Sequence, residues 1–308
     1  MSINRRSFLL KGLATAGAAA AGTVGIERVT RPPESPAGST AAVDPKSGCY
    51  LATDGKLVNI ETGVKHSLPL PVLDPNIRKG VPGKKWVMVI DLARCDGCGL
   101  CQQACSKMHF IPPSRQYIKV LRMQDAEYTA PYYFPQPCFQ CDNPPCTKVC
   151  PVDATFKRDD GIVLIDNDRC IGCRFCMAAC PYGARSFNWE KPKDPPQATG
   201  QPYSPETGLP HKLGTVEKCD FCPEMATAGL LPPCAAKCPM DAIWYGDQNE
   251  DAVTARSGKT VRLTTLLAEN GGYRHMEELG TEPRVYYLPP KNRLYAPPPK
   301  VEGHHASH

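Results

Sequence analysis

Sixteen of the seventeen cysteines in this 308-residue chain fall into four short groups, and their spacing constrains the fold more than any hydrophobic pattern does. The groups are Cys95/Cys98/Cys101/Cys105, Cys138/Cys141/Cys146/Cys150, Cys170/Cys173/Cys176/Cys180 and Cys219/Cys222/Cys234/Cys238. The first and third read C-x2-C-x2-C-x3-C; the second widens its middle gap to x4 and the fourth to x11. Each group has the spacing of an iron–sulfur ligand set, and a cubane takes four thiolates. Sixteen ligands of this kind make four [4Fe–4S] clusters, and four clusters in one chain suggest a wire for single electrons.

Other uses of cysteine fit less well. Structural zinc takes separated C-x2-C pairs rather than four dense quartets. A disulfide framework suits an exported protein but does not explain ferredoxin spacing. No C-x-x-C-H motif for covalent haem is present, and neither G-x-G-x-x-G nor G-x-x-x-x-G-K-[ST] occurs to support a nucleotide site. A metal-stabilised scaffold without a redox task remains the competing class; iron content and broad visible absorbance separate the two.

Composition agrees with a fold organised by metal. Aromatics make up 7% of the chain, against 33 prolines and 25 glycines, so a large apolar core is not expected and the iron-free form should be largely unfolded. The formal charge of +5 misleads. Residues 1–42 hold Arg5, Arg6, Lys11, Arg28 and Arg31 against Glu27 and Glu34, and each thiolate-ligated cluster adds about −2. The assembled mature chain is then about −6, which does not describe a nucleic-acid-binding surface.

Export is expected. Asn4-Arg5-Arg6-Ser7-Phe8-Leu9-Leu10-Lys11 is a twin-arginine motif ahead of a weakly apolar Ala/Gly stretch that is too short and Gly-rich for a membrane span. That route carries folded cargo, which suits cofactors assembled in the cytoplasm. Residues 1–42 are accordingly read as signal and residues 43–85 as an extended arm. The expected site is periplasmic, at the outer face of the membrane.

Residues 86–93 (WVMVIDLA) and 117–121 (YIKVL) read as strands, and 99–108 as a short helix. Residues 155–166 (TFKRDDGIVLID) read as a hairpin turning at Asp159-Asp160-Gly161. Residues 191–213 form a Pro-rich surface insertion. In the C-terminal extension, 251–308, residues 260–267 read as helix, 284–290 as strand and the tail as extended. A C-P-x-[DG]-A repeat follows Cys150, Cys180 and Cys238, while the first group has Ser106 in place of proline. In two-cluster ferredoxins the fourth cysteine of each run serves the neighbouring cluster.

The four groups, together with FPQPCFQCDNPPCTKVCPVDATFK, CIGCRFCMAACPYGARSF and KCDFC, closely resemble the four-cluster electron-transfer subunits of respiratory oxidoreductases. These include dimethyl sulfoxide, polysulfide and tetrathionate reductases, and the NrfC, HybA and DsrO types of nitrite, hydrogenase and sulfur metabolism. The resemblance runs from Trp86 to Pro290 and implies an α+β fold of two bacterial-ferredoxin-like modules, loop-rich, with extended terminal arms. One module would be 86–130 with 210–250, the other 131–190. It also implies the ligand sets. Cluster 1 takes Cys95, Cys98, Cys101 and Cys238; cluster 2 takes Cys105, Cys219, Cys222 and Cys234. Cluster 3 takes Cys138, Cys141, Cys146 and Cys180; cluster 4 takes Cys150, Cys170, Cys173 and Cys176. By the same resemblance the chain has no catalytic site of its own. It relays electrons between a multi-span NrfD-type quinone-interacting membrane subunit and a catalytic subunit containing molybdopterin, with a Dsr-type or hydrogenase assembly as the alternative.

Arg94, Arg169 and Lys218 each precede a first cysteine and are either cations that raise a cluster's potential or solvated charges with little effect. Cys49 is read as a non-ligand, His304, His305 and His308 as part of a disordered tail, and His109 and His275 as lacking neighbours for acid–base work.

Overall fold

The computed structural model describes residues 77–291 apart from 128, 191, 192 and 199, together with the backbone of Cys49–Leu51 and Leu57–Asn59. The twin-arginine segment, most of the expected N-terminal arm and the histidine-bearing tail lie outside the described residues.

In chain order, β1 (Cys49–Leu51) and β2 (Leu57–Asn59) pair antiparallel within the stretch read as an arm. Then come β3 (Trp86–Asp91), α1 (Leu100–Met108), β4 (Lys119–Met123), β5 (Tyr132–Gln136), α2 (Pro145–Lys148), β6 (Thr155–Lys157) and β7 (Val163–Ile165). These are followed by α3 (Phe175–Ala178), β8 (Arg185–Phe187), β9 (Val216–Lys218), α4 (Pro223–Thr227), α5 (Pro233–Ala236) and β10 (Ile243–Asp247). The last are β11 (Ala252–Thr254), β12 (Thr260–Arg262), α6 (Leu263–Asn270), β13 (Tyr273–Arg274) and β14 (Val285–Leu288). No helix among the described residues is long and apolar enough to cross a membrane.

One six-stranded sheet organises the described chain, in the order β12-β11-β10-β3-β14-β13. Strand β3 sits inside it, antiparallel to β10 and parallel to β14, and is apolar at Trp86 through Ile90 because both faces are covered. Alternation divides its side chains. Met88, Ile90 and Trp86 join the larger core with Tyr245, Phe221 and Tyr287, while Val87 and Val89 pack with Trp244, Val253, Leu263 and Leu288. The larger core also takes in Phe139, Phe156, Ile162, Leu164 and Tyr182 from the middle of the chain, so one apolar interior links the four cysteine groups.

Several sequence expectations shift. The strand read at 117–121 begins at Lys119, because Tyr117 and Ile118 are buried as core residues ahead of it. The helix read from residue 260 begins at Leu263, since Thr260–Arg262 first pair with β11. Residues beyond 251 are more than an extension, for they supply four of the six sheet strands. The Pro-rich segment is not confined to the surface either: Tyr203 and His211 are buried, and the Tyr203 hydroxyl donates to the Ile165 carbonyl at 2.8 Å.

The 155–166 hairpin forms as β6 and β7 and turns where expected, with the Gly161 N–H on the Arg158 carbonyl at 2.9 Å. Gly161 has φ +81°, and a Cβ there would lie 1.6 Å from Nη1 of the fully buried Arg284. Gly161→Ala is therefore expected to destabilise the protein by ~2–5 kcal/mol through backbone strain and overpacking. Anaerobic thermal denaturation followed by circular dichroism checks this.

Candidate metal centres

The backbone turns the same way at every C-x2-C pair. The residue before the second cysteine has positive φ in all four groups: Gly97 (+76°), Gln140 (+46°), Gly172 (+72°) and Phe221 (+71°). Glycine adopts this shape freely, whereas Gln140 and Phe221 are held in it by tertiary contacts. The Gln140 side chain donates to the Cys219 carbonyl at 2.9 Å and accepts from the Val163 N–H at 2.7 Å. Phe221 packs edge-on against Tyr245, with ring centroids 5.2 Å apart.

The C-P-x-[DG]-A repeat has a similar explanation. Its fourth residue is left-handed each time, at Asp153 (+51°), Gly183 (+58°) and Asp241 (+49°). That bend aims the alanine N–H back at the cysteine: Ala154 donates to Cys150 Sγ at 3.2 Å and Ala242 to Cys238 Sγ at 3.3 Å. Burial pushes the Cys150 thiol up, but amides of Thr155, Val152 and Ala154 outweigh it, and the net shift is downward. Such donors stabilise sulfur that carries negative charge.

Helices then carry cysteines between groups. In α1, Cys101 and Cys105 are buried on one face four residues apart, and α1 packs against α5, which carries Cys234. Likewise α2, with Cys146, packs against α3, with Cys176. Two recesses follow from the second pairing. One is lined by Cys138, Cys141, Cys146 and Cys180. The other is lined by Cys150, Cys170, Cys173 and Cys176.

Thiol electrostatics display two further gatherings. Burial, then the nearby charges of Cys95 and Cys238, pushes Cys101 up to about 12, and Cys95 rises to about 11 through burial with Cys238 and Cys98 adding to it. Cys105 is pushed well up by burial and then by Cys219 and Cys234, as is Cys222 by burial with Cys234 and Cys219 contributing. Each fourth cysteine therefore meets the other group of its pair.

Electrostatic influence across these gatherings is consistent with a row: the charge of Cys101 is felt at Cys105 and Cys234, that of Cys138 at Cys219, and that of Cys146 at Cys176. At the two ends Cys98 and Cys173 are exposed, whereas Cys105, Cys222 and Cys234 inside the row are buried.

The three cations expected near the clusters differ in setting. Arg94 and Arg169 have side chains 45% and 53% exposed and pair with Asp91 at 3.7 Å and Asp166 at 3.8 Å, so solvent screens them. Lys218 is buried, its ammonium donating to the carbonyls of Val163 and Cys219. Sequence reasoning missed two neighbours. His109 does have polar partners: Nε2 lies 3.5 Å from Cys222 Sγ and Nδ1 3.4 Å from Asp220 Oδ2, all three residues being buried. Arg185, within the CPYGARSF motif, is buried beside two of the thiol gatherings. Its place five residues after Cys180 was visible, but nothing in the sequence said that the strand turns inward.

Comparison with known proteins fits this arrangement. Residues 129–194 and 162–239 each match a 4Fe-4S dicluster domain. A selenate reductase subunit of Mesobacillus selenatarsenatis is 36% identical over 303 residues, covering 92% of this chain and 97% of the relative. The chain belongs to the family of reductase iron–sulfur subunits. A tetrathionate reductase subunit of Salmonella typhimurium is also similar, at 36% identity over 70% of this chain and 76% of its own length. So is the iron–sulfur cluster-binding subunit of a menaquinone reductase from Nitratidesulfovibrio vulgaris, at 36% over 66% and 88%. The protein carries four 4Fe–4S clusters and serves electron transfer. Its buried, converging thiols and the unpartnered Nη2 of Arg185 fit sulfur-rich anionic groups.

Proposed function

We propose that this protein is an exported relay, conducting single electrons between a quinone-linked, multi-span membrane subunit and a molybdopterin-containing catalytic subunit. The observation that carries the reading is the row of four thiol gatherings, exposed at Cys98 and Cys173 and with only buried or half-buried thiols between. Such a row supplies an entry, an insulated path and an exit. The ligand sets proposed are Cys95/Cys98/Cys101/Cys238, Cys105/Cys219/Cys222/Cys234, Cys138/Cys141/Cys146/Cys180 and Cys150/Cys170/Cys173/Cys176, and the shared recesses support the last two. The bound clusters supply the redox chemistry; the chain's work is spacing, insulation and electrostatic setting. Tetrathionate and selenate reductase relatives support a catalytic partner, and the menaquinone reductase relative supports a quinone-linked one. The twin-arginine motif at Arg5-Arg6 supports export.

Anaerobic isolation of the native complex tests the proposal. The expected preparation is brown, with about sixteen irons and matching acid-labile sulfide on this chain. Molybdenum should be found in a larger partner, a multi-span protein should co-purify, and the relay should be protease-accessible in spheroplasts. A nickel-containing partner would overturn the molybdenum assignment. Absence of sulfide would overturn the relay.

A further inference from the structure

Arg185 opens β8 and is 6% exposed. Its guanidinium has five N–H donors and one fixed positive charge, so its burial demands acceptors or anions around it. Few oxygen partners are provided. Nη1 donates to Thr155 Oγ1 at 3.2 Å, Nη2 has no aligned acceptor, and no carboxylate ion-pairs with the group among the described residues.

What surrounds the group is sulfur. Arg185 lines the recess of Cys138, Cys141, Cys146 and Cys180, while its anchor Thr155 lines the recess of Cys150, Cys170, Cys173 and Cys176. The guanidinium reaches Cys146 of the first set and Cys176 of the second, and its charge is felt by Cys138, Cys150 and Cys180 as well. A planar fork suits this place, since its nitrogens diverge toward both sets where a lysine ammonium would be a single point.

We propose that Arg185 is a shared counter-cation for the third and fourth clusters, positioned so that one buried charge raises both reduction potentials together. The inference rests on the reading that these two thiol sets hold clusters. Each cluster gains a negative charge when it accepts an electron, and a fixed cation beside it favours that state. Because the same charge serves both, removing it lowers both potentials in step and leaves clusters 1 and 2 where they were.

The test is an anaerobic redox titration of the purified holo complex followed by electron paramagnetic resonance, comparing the native protein with Arg185→Gln and Arg185→Lys. The signals of clusters 3 and 4 are assigned as those altered in Cys146→Ser and Cys176→Ser. In Arg185→Gln both should become at least tenfold harder to reduce, a fall of 59 mV or more for a one-electron step. Arg185→Lys, which retains the charge, should fall by less at both. A shift in one cluster only, an equal shift in all four, or no shift overturns the proposal. If Arg185→Gln does not retain its iron, Thr155→Val is titrated instead. Removing only the Nη1 anchor should move the same two potentials in the same direction, and movement of one or neither is decisive against. A native preparation with fewer than four clusters counts against the cluster reading; four clusters without paired movement count against Arg185 alone.

Discussion

Cys238→Ser should damage the cluster whose other ligands lie far away in sequence, not the one held by its neighbours Cys219, Cys222 and Cys234. Cys238 follows α5, which packs on α1, and its sulfur is close enough to influence Cys95, Cys98 and Cys101. Serine cannot supply the thiolate, so iron should fall from about sixteen per chain to between about twelve and fifteen, according to whether the cluster is lost or keeps three irons. The paramagnetic signal that changes should be the one changed by Cys95→Ser. Cys105→Ser should instead reproduce Cys219→Ser, because the buried Cys105 feels the charges of Cys219 and Cys234. Electron transfer through the assembled complex should be largely lost in each case, since a broken link interrupts the row of clusters. Should Cys238→Ser and Cys219→Ser alter the same signal, the crossed ligand sets are wrong.

Stripping the iron should have the second large effect, the loss of most fixed structure. Helices α2, α3 and α5 have four residues each and strands β6 to β9 three each, too short to stand without tertiary support. Metal–ligand bonding supplies that support, on the order of 10 kcal/mol per tetrathiolate site by the scale of structural metal sites. The sign of the pH dependence follows from the thiols. Burial pushes Cys101, Cys141 and Cys219 up to about 12 and Cys95 to about 11, and thiols released by unfolding return only to about 8.5, so in either iron-free state they are mainly protonated near neutral pH. Ligation replaces those protons, so loading strengthens as pH rises and weakens as it falls. Iron release to a chelator should therefore accelerate with acidity and be accompanied by loss of far-ultraviolet circular dichroism. Release that is fastest at alkaline pH, or iron removal that leaves the spectrum intact, would contradict this account.

The cysteine groups were legible because their chemistry is local: a spacing of two or three residues is visible without knowing the fold. Strand β3, helix α1, the 155–166 hairpin and β14 were legible for a related reason, each having its own apolar run or turn residues. What could not be read was partnership over long distances. Residues 252–262 carry only two three-residue strands, and nothing in them signals addition to a sheet begun by β3. The polar groups inside were hidden in the same way. His211 accepts a place in the core through Glu217 at 2.8 Å and the His109 carbonyl at 2.9 Å, partners on separate segments. Arg185 resembles any surface arginine until Thr155, Cys146 and Cys176 are brought beside it.

Strand β14 has a consequence for biosynthesis. It occupies the position between β3 and β13, yet it follows every cysteine group in the chain. On the ribosome, β3 emerges early and keeps an open edge while all sixteen thiols appear, and only Val285–Leu288 can close it. Iron delivery thus has a natural interval before the sheet seals, and a nascent chain stopped short of Val285 would possess every ligand but no finished container for them.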